Sequence, residues 1–388
     1  MAGLYLHIPF CTRRCVYCDF YVVTTVKTPT SFVSALIREI EHYGAQYGDK
    51  EPIHTVYFGG GTPSLLPPSD VYRILNALYD HFQIDDNAEV TIELNPEDMG
   101  LDDMRALSNL GINRLSIGIQ SFFDDDLAFM NRNHTSEEAE KVVSVARQAG
   151  FENFTVDLIF GLPEQPFEYW AANLQKAVRL DVPHLSTYGL TVEERTPLFN
   201  QVQRGIVTPT DADTMNERYL FTMDYLGEHG YEAYEISSFA KPGFRSRHNQ
   251  AYWTHTNYLG FGPSAHSFWW QRGLGSRAER WNNVPNLKKY EAILAQRHLP
   301  LDARDRLSLD DLGDEHILLS LRTSDGLDLN MLEETYGVDL LDAKVDELAW
   351  LEADGLIEPI RNRRVRLTPN GRLVADAVAN RLLLDSYV

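Results

Sequence analysis

The segment Leu4-Tyr5-Leu6-His7-Ile8-Pro9-Phe10-Cys11-Thr12-Arg13-Arg14-Cys15-Val16-Tyr17-Cys18 runs from a β-rich stretch into a loop that holds all three cysteines of the chain. Leu4 to Ile8 reads as a strand closed by Pro9, so the thiols follow a strand's carboxyl end. Three cysteines inside eight residues are an odd number, too tightly clustered for a disulfide framework. Thiolates are the usual ligands of iron–sulfur clusters, and three of them leave one iron of a four-iron cube open to a further ligand. A structural zinc site wants a second ligand pair, and none with suitable spacing follows. The intervening Thr12-Arg13-Arg14 speaks against a buried-thiol role. Cys11, Cys15 and Cys18 are therefore the expected ligands of a [4Fe–4S] cluster.

Outward from this loop, short β-rich runs alternate with amphipathic stretches as far as about residue 190. The expected strands are Leu4 to Ile8, Thr55 to Phe58, Glu89 to Leu94, Arg114 to Ile119, Thr155 to Ile159 and His184 to Tyr188. Helices are expected over Ser31 to Tyr47, Asp70 to Phe82, Asp102 to Leu110, Ser136 to Ala149 and Phe167 to Leu180, the first with Phe32, Leu36, Ile40 and Tyr43 on one buried stripe. Such alternation predicts an α/β fold with a parallel sheet, either doubly wound or curved into a partial barrel. In both, ligands gather at the carboxyl ends of the strands. The unusual residues obey that rule. The cysteines follow the first strand, Gly59-Gly60-Gly61-Thr62-Pro63 the second, and Glu93 with Asn95-Pro96 ends the third. Gln120-Ser121 closes the fourth, Asp157 to Pro163 the fifth, and Tyr188-Gly189-Leu190 the sixth.

Residues 191–305 read as a less regular extension, with a helix from Asp213 to Leu226, a Tyr-rich strand from Tyr231 to Ile236, and a Gly- and aromatic-rich stretch from Phe244 to Trp281. Residues 306–388 change character again. Helices are expected over Leu312 to Leu321, Leu329 to Tyr336 and Leu341 to Ala353, then a hairpin from Leu356 to Leu367 and a last helix from Gly371 to Leu384. Helices followed by a two-stranded wing resemble a winged-helix module. The expected division is thus 1–190, 191–305 and 306–388.

The 388 residues carry 35 basic against 56 acidic side chains, a net charge of −21, with 44% hydrophobic residues. Those are globular proportions, which exclude a disordered, collagenous or coiled-coil chain. The acidic field disfavours nucleic acid and anionic membrane surfaces as partners. No apolar run approaches the roughly 18–20 residues of a membrane span. The start of the chain lacks the pattern of a secretory signal, so a cytoplasmic location is expected.

With Tyr17 before its last cysteine, Cys11-x3-Cys15-x2-Cys18 resembles the signature of radical S-adenosylmethionine (SAM) enzymes. More narrowly, Ile8-Pro9-Phe10-Cys11, Phe58-Gly59-Gly60-Gly61-Thr62-Pro63, Arg114 to Phe122 and Asp157-Leu158-Ile159-Phe160-Gly161-Leu162-Pro163 resemble the oxygen-independent coproporphyrinogen III oxidase family, HemN, and its HemW relatives. The resemblance implies a partial (β/α)6 radical-SAM barrel followed by a C-terminal helical, winged-helix-like domain. It also implies SAM contacts at Tyr5, Tyr17, Gly60, Gly61, Thr62, Glu93, Gln120, Arg132, Asp157 and Gly189. The chemistry is consistent: glycines let backbone N–H and C=O groups approach the methionine moiety, and carboxylates at strand ends suit an ammonium or ribose hydroxyls.

Two features separate the relatives. HemN-type oxidases carry a fourth cysteine two residues after the third, where this chain has Phe20, and they have a longer segment before the cluster than the ten residues here. His248-Asn249-Gln250-Ala251-Tyr252-Trp253 matches the HNxxYW motif of the HemW group, to which heme binding is attributed. An imidazole can ligate heme iron beside flat aromatic surface, so His248 is a candidate heme ligand; an aromatic lid whose His only hydrogen-bonds is the alternative. His266 is a second candidate, with a structural loop role as its alternative. The resemblance implies a heme chaperone that passes heme to an apoprotein and carries a [4Fe–4S] cluster and SAM, with an electron donor as a further partner. The alternative is an oxidase that decarboxylates coproporphyrinogen III by reductive cleavage of SAM.

Overall fold

The computed structural model describes residues 2–25, 29–273 and 277–384. Its centre is one sheet of twelve strands. Six are the expected ones: β1 (Ala2–Ile8), β2 (Ile53–Gly60), β3 (Ile84–Leu94), β4 (Arg114–Gln120), β5 (Phe154–Phe160) and β6 (His184–Gly189). They pair in parallel in sequence order, with helices over Thr30–Tyr47, Pro68–His81, Leu101–Asn109, Ser136–Gln148 and Phe167–Arg179 between them. The chain folds as the partial barrel, not as a doubly wound sheet.

Alternation along these strands gives the sheet two different faces. One set of side chains, including Leu4, Leu6, Val56, Phe58, Val90, Ile92, Leu115, Ile117, Val156 and Leu158, is buried against the helices in the main apolar cluster. The other set points into the barrel and is polar: Tyr5 and His7 on β1, Thr55 and Tyr57 on β2, Glu89 and Glu93 on β3, Arg114 and Ser116 on β4, Thr155 and Asp157 on β5. A sheet with one oily and one polar face, both covered, needs polar partners inside the barrel.

The region after residue 190 is more regular than expected. Four antiparallel or parallel additions, β9 (Asn257–Phe261), β10 (His266–Gln271), β11 (Arg277–Asn283) and β12 (Leu301–Leu307), extend the sheet from the free edge of β1, where β9 runs parallel and the next three antiparallel. At the other edge the Tyr-rich run shortens to β7 (Glu232–Ala233), and β8 (Ser238–Ala240) pairs antiparallel with β6. The sheet order is β12-β11-β10-β9-β1-β2-β3-β4-β5-β6-β8-β7.

The C-terminal region is helical, with helices over Leu309–Leu321, Leu329–Tyr336 and Val345–Ala353. The expected hairpin is present as bridges from Ile357 to Leu367 and Arg361 to Arg364, and Arg364–Val365 also pairs with Leu327–Asp328. The expected last helix is two short ones, Pro369–Leu373 and Ala375–Leu382, because Val374 leaves helical geometry (φ −125°) between them. Residues 385–388 lie outside the described residues. This region has its own apolar cluster, which takes in Phe268, Trp270 and Ala278 from β10 and β11.

Candidate cofactor site at the rim of the barrel

The cysteine loop leaves the end of β1 and is fastened from several directions. Thr25 N–H donates to Cys11 O (2.9 Å), Val16 N–H to Met130 O (3.2 Å), Leu198 N–H to Val16 O (2.9 Å), and Asn131 Nδ2 to Arg14 O (2.8 Å). All three thiols are free and partly exposed, and all three line one cavity of about 530 Å³ at the carboxyl ends of β1 to β6. Thr62 Oγ1 donates to Cys11 Sγ and Arg132 Nη1 to Cys15 Sγ, each at 3.5 Å. Burial pushes the Cys18 thiol up to about 11; a bound cation reverses that penalty, since a coordinating thiol loses its proton outright. Among the described residues no three His, Cys, Asp or Glu side chains converge on one metal ion. A cube needs no such point, because each thiolate takes a different corner iron. Three thiols on one pinned loop, facing a cavity and supported by a hydroxyl and a guanidinium, fit that group.

The cavity gathers Tyr17, Gly60, Gly61, Thr62, Glu93, Gln120, Arg132, Asp157 and Gly189. Glu93 accepts from Tyr57 Oη (2.9 Å) and Gly60 N–H (3.1 Å), and Asp157 from Ser116 Oγ (3.2 Å). Neither carboxylate is in an ion pair among the described residues. Burial is the main cause that raises Glu93 to about 7 and Asp157 to about 6. Carboxylates kept this deep without a cation are costly unless something positive or hydrogen-donating arrives, so they fit the ammonium and ribose hydroxyls of SAM.

Gln120 sits at the rim in left-handed backbone geometry (φ 65°). The next residues hold it there: Ser121 Oγ donates to Asp126 Oδ2 (2.6 Å), and Phe122 N–H to Asn173 Oδ1 (2.7 Å). Arg132 donates to Asn95 Oδ1 and Gly118 O, both at 2.6 Å, while Asn95 Nδ2 donates to Thr62 Oγ1 (3.2 Å). Asn95 thus ties Arg132 to Thr62 and so to two of the cysteines. Its place at a strand end was legible in the sequence, but its link to Arg132 was not.

The glycines act differently from expectation. Gly60 N–H goes to Glu93, Gly61 N–H to Ile8 O (2.9 Å) and Thr62 N–H to Phe10 O (2.7 Å), so these amides are already engaged. A Cβ at Gly60 (φ 108°) would stand 2.5 Å from His7 Nδ1, and one at Gly61 2.6 Å from Phe10 O. The protein's own packing demands glycine there, and only carbonyl oxygens remain for a ligand.

Two expected site residues lie elsewhere. Tyr5 is below the cavity, with Oη 3.2 Å from His7 Nδ1 and its ring stacked on Tyr57 (6.2 Å between centroids). His248 is 2% exposed in a short helix (Arg247–Tyr252) that plugs the opposite end of the barrel. Its Nδ1 is 2.8 Å from Thr55 Oγ1 and its Nε2 2.9 Å from Tyr252 Oη. With both nitrogens occupied and the ring enclosed, the imidazole as folded does not fit an axial ligand of heme. His266, the other candidate, is exposed at the start of β10.

A partial barrel with a three-cysteine loop and a carboxylate-lined cavity at one rim defines a radical SAM protein, and residues 5–177 match the Radical SAM superfamily. Residues 307–374 match the HemN C-terminal domain. The chain is 36% identical to "Heme chaperone HemW" of Mycobacterium tuberculosis over 385 residues, 98% of this chain and 94% of that protein. It is 32% identical to the Bacillus subtilis protein of the same name over 380 residues, 97% and 98% of the two. The structure is similar to that of coproporphyrinogen III oxidase (HemN) from Escherichia coli, with a TM-score of 0.81 and 25% identity over 99% of this chain and 90% of that one. On this full-length likeness the chain belongs to the HemW family within the radical SAM superfamily.

Proposed function

We propose that this chain is a heme chaperone that carries a [4Fe–4S] cluster and SAM and passes heme to an acceptor protein. The observation that supports it is likeness over nearly the whole chain to proteins named heme chaperones. In this reading Cys11, Cys15 and Cys18 would hold the cluster at the cavity. Glu93 and Asp157 would accept hydrogen bonds from the ammonium and ribose hydroxyls of SAM. Gln120 is presented by its left-handed backbone as a donor or acceptor, and Arg132 keeps positive charge against Cys15. Tyr17, packed beside Ile159 and Leu190, walls one side and excludes water. Cluster and SAM together supply one-electron chemistry at a sulfonium when bound. A cation bound beside Glu93 would favour its ionised form.

A second reading, coproporphyrinogen oxidation, draws on the likeness to the Escherichia coli oxidase. Phe20 counts against it, being 66% exposed at the cavity where the oxidase pattern carries a fourth cysteine. The deciding experiment reconstitutes the protein without oxygen and follows two readouts in parallel. Retention of about one heme per chain, released to added apomyoglobin, is expected, without carbon dioxide from coproporphyrinogen III. Robust carbon dioxide release and no heme uptake would reverse the assignment.

A further inference from the structure

The HNxxYW segment and the cavity rim belong to opposite ends of the barrel, yet an unbroken set of contacts joins them. The motif helix hangs from Glu89, whose Oε1 accepts from His248 N–H (3.0 Å) and Oε2 from Arg247 N–H (3.1 Å), with Arg114 Nε 3.9 Å away. Above it the His248 ring stacks on Tyr57, with 4.9 Å between centroids and 23° between planes. Tyr57 Oη in turn donates to Glu93 Oε1 at 2.9 Å, and Glu93 faces the cavity. Glu89 and Glu93 are four residues apart on β3 and so share a face. One strand therefore anchors the motif with one carboxylate and reaches the cavity with the other.

The ring of His248 has no atom to spare. Thr55 and Tyr252 occupy its two nitrogens, Tyr57 covers a face, and Tyr252 meets its edge (5.1 Å, 85°). The barrel holds a second imidazole in the same way. His184 places Nδ1 3.1 Å from Thr155 Oγ1 and Nε2 2.7 Å from Tyr234 Oη, and it too is fully buried beside Arg114. His184 lies outside the HNxxYW motif and has no ligand assigned to it. A Thr–His–Tyr clamp is how this barrel satisfies a buried neutral imidazole.

We propose that His248 is a positioning residue: it props Tyr57 against Glu93, so the HNxxYW segment is coupled to the SAM end of the barrel, and heme iron is ligated by another group. The inference rests on the SAM and heme reading above. Losing the prop lets Tyr57 tilt and removes a donor from Glu93, which changes how that carboxylate meets a cation without altering the cavity's outline.

The test uses the anaerobically reconstituted full chain, with SAM affinity measured by equilibrium dialysis and heme ligation by the Soret band and resonance Raman spectrum. His248→Gln and Tyr57→Phe are each expected to weaken SAM about 3- to 10-fold. The double variant should be no weaker than the worse single, because both cut one chain of contacts. Neither should move the Soret band of bound heme. Thr55→Val tests the same clamp from the strand side, should His248→Gln fail to fold, and the same weakening is expected. A Soret shift or loss of heme in His248→Gln while Tyr57→Phe is normal would overturn the proposal, as would unchanged SAM affinity in the Tyr57 and Thr55 variants. A wild-type protein that takes up neither ligand would bring down the functional reading and this inference together, whereas ligands bound by wild type isolate the inference as the part that failed.

Discussion

The two ends of the barrel's polar interior are built from the same residue types and treat them in opposite ways. At the closed end Glu89, His184 and His248 are buried and satisfied within the fold: Glu89 accepts from the N–H groups of Arg247 and His248, and the two imidazoles are held by Thr155, Thr55, Tyr234 and Tyr252. At the rim Glu93 and Asp157 are less enclosed and are in no ion pair among the described residues, and loss of water still lifts both well above the ordinary carboxylate range. Closed polar groups hold a fold; open ones are held by it. The difference sorts residues by role more surely than residue type does, since a motif histidine falls in the first group.

The sharpest way to break the comparison is at the cysteine loop. Cys15→Ala is expected to remove about four irons per chain and the broad absorbance of the cluster. Iron content equal to wild type would show that the loop is not the open, ligand-binding element. At the closed end, Arg114→Met strands Glu89 beneath the motif helix and should cost about 3–5 kcal/mol in denaturant unfolding of the apo-protein. A cost near zero would erase the distinction. Asp157→Ala should do the reverse: SAM weaker by about 1–3 kcal/mol, with apo-protein stability unchanged or higher, read from dialysis and unfolding side by side.

The titration of the rim gives a smaller and opposite signature. Glu93 and Asp157 have folded pKa values of about 7 and about 6, above their unfolded values, so the folded state binds extra protons between about pH 4 and 7. Their contribution to stability is complete at the acid end and is lost as pH rises through 6 and 7. Glu93→Gln should flatten this part of the apo-protein's stability profile, and an unaltered slope would place the carboxylate among the closed groups. Smallest of all, Phe20→Ala should change stability by less than about 0.5 kcal/mol, because an exposed side chain packs on little. A larger loss in thermal unfolding would mean that Phe20 belongs to the loop's support and not to the cavity mouth.

The strand and helix alternation up to residue 190 was legible because each strand carries an apolar face and each helix an apolar stripe. The rim was legible for a related reason: Cys11, Gly60, Glu93, Gln120, Asp157 and Gly189 interrupt those patterns at strand ends. What the sequence hid was set by pairing at long range. β9 to β12 contain Gly260, a run of aromatics and the charged Asp302 to Arg306, none of which shows period-two alternation, and the strand β1 on which β9 docks is about 250 residues earlier. Tyr57 reads as an ordinary core residue of a strand, and only the fold brings its hydroxyl to Glu93. His248 was conspicuous through its motif, but sequence spacing carries no information on whether Thr55 and Tyr252 already fill its two nitrogens.

The position of β1 in the sheet bears on how the molecule comes into being. Residues 2–8 are flanked by β2 on one side and by β9, near residue 257, on the other. During synthesis the first strand therefore leaves the ribosome with one edge open and keeps it open while some 250 further residues are made. An unpaired edge of Leu4, Leu6 and Ile8 in a nascent chain is a template for misassociation. Nascent chains that stop short of β9 should accordingly need a holdase to stay in solution, and release from that dependence should come as a single late step.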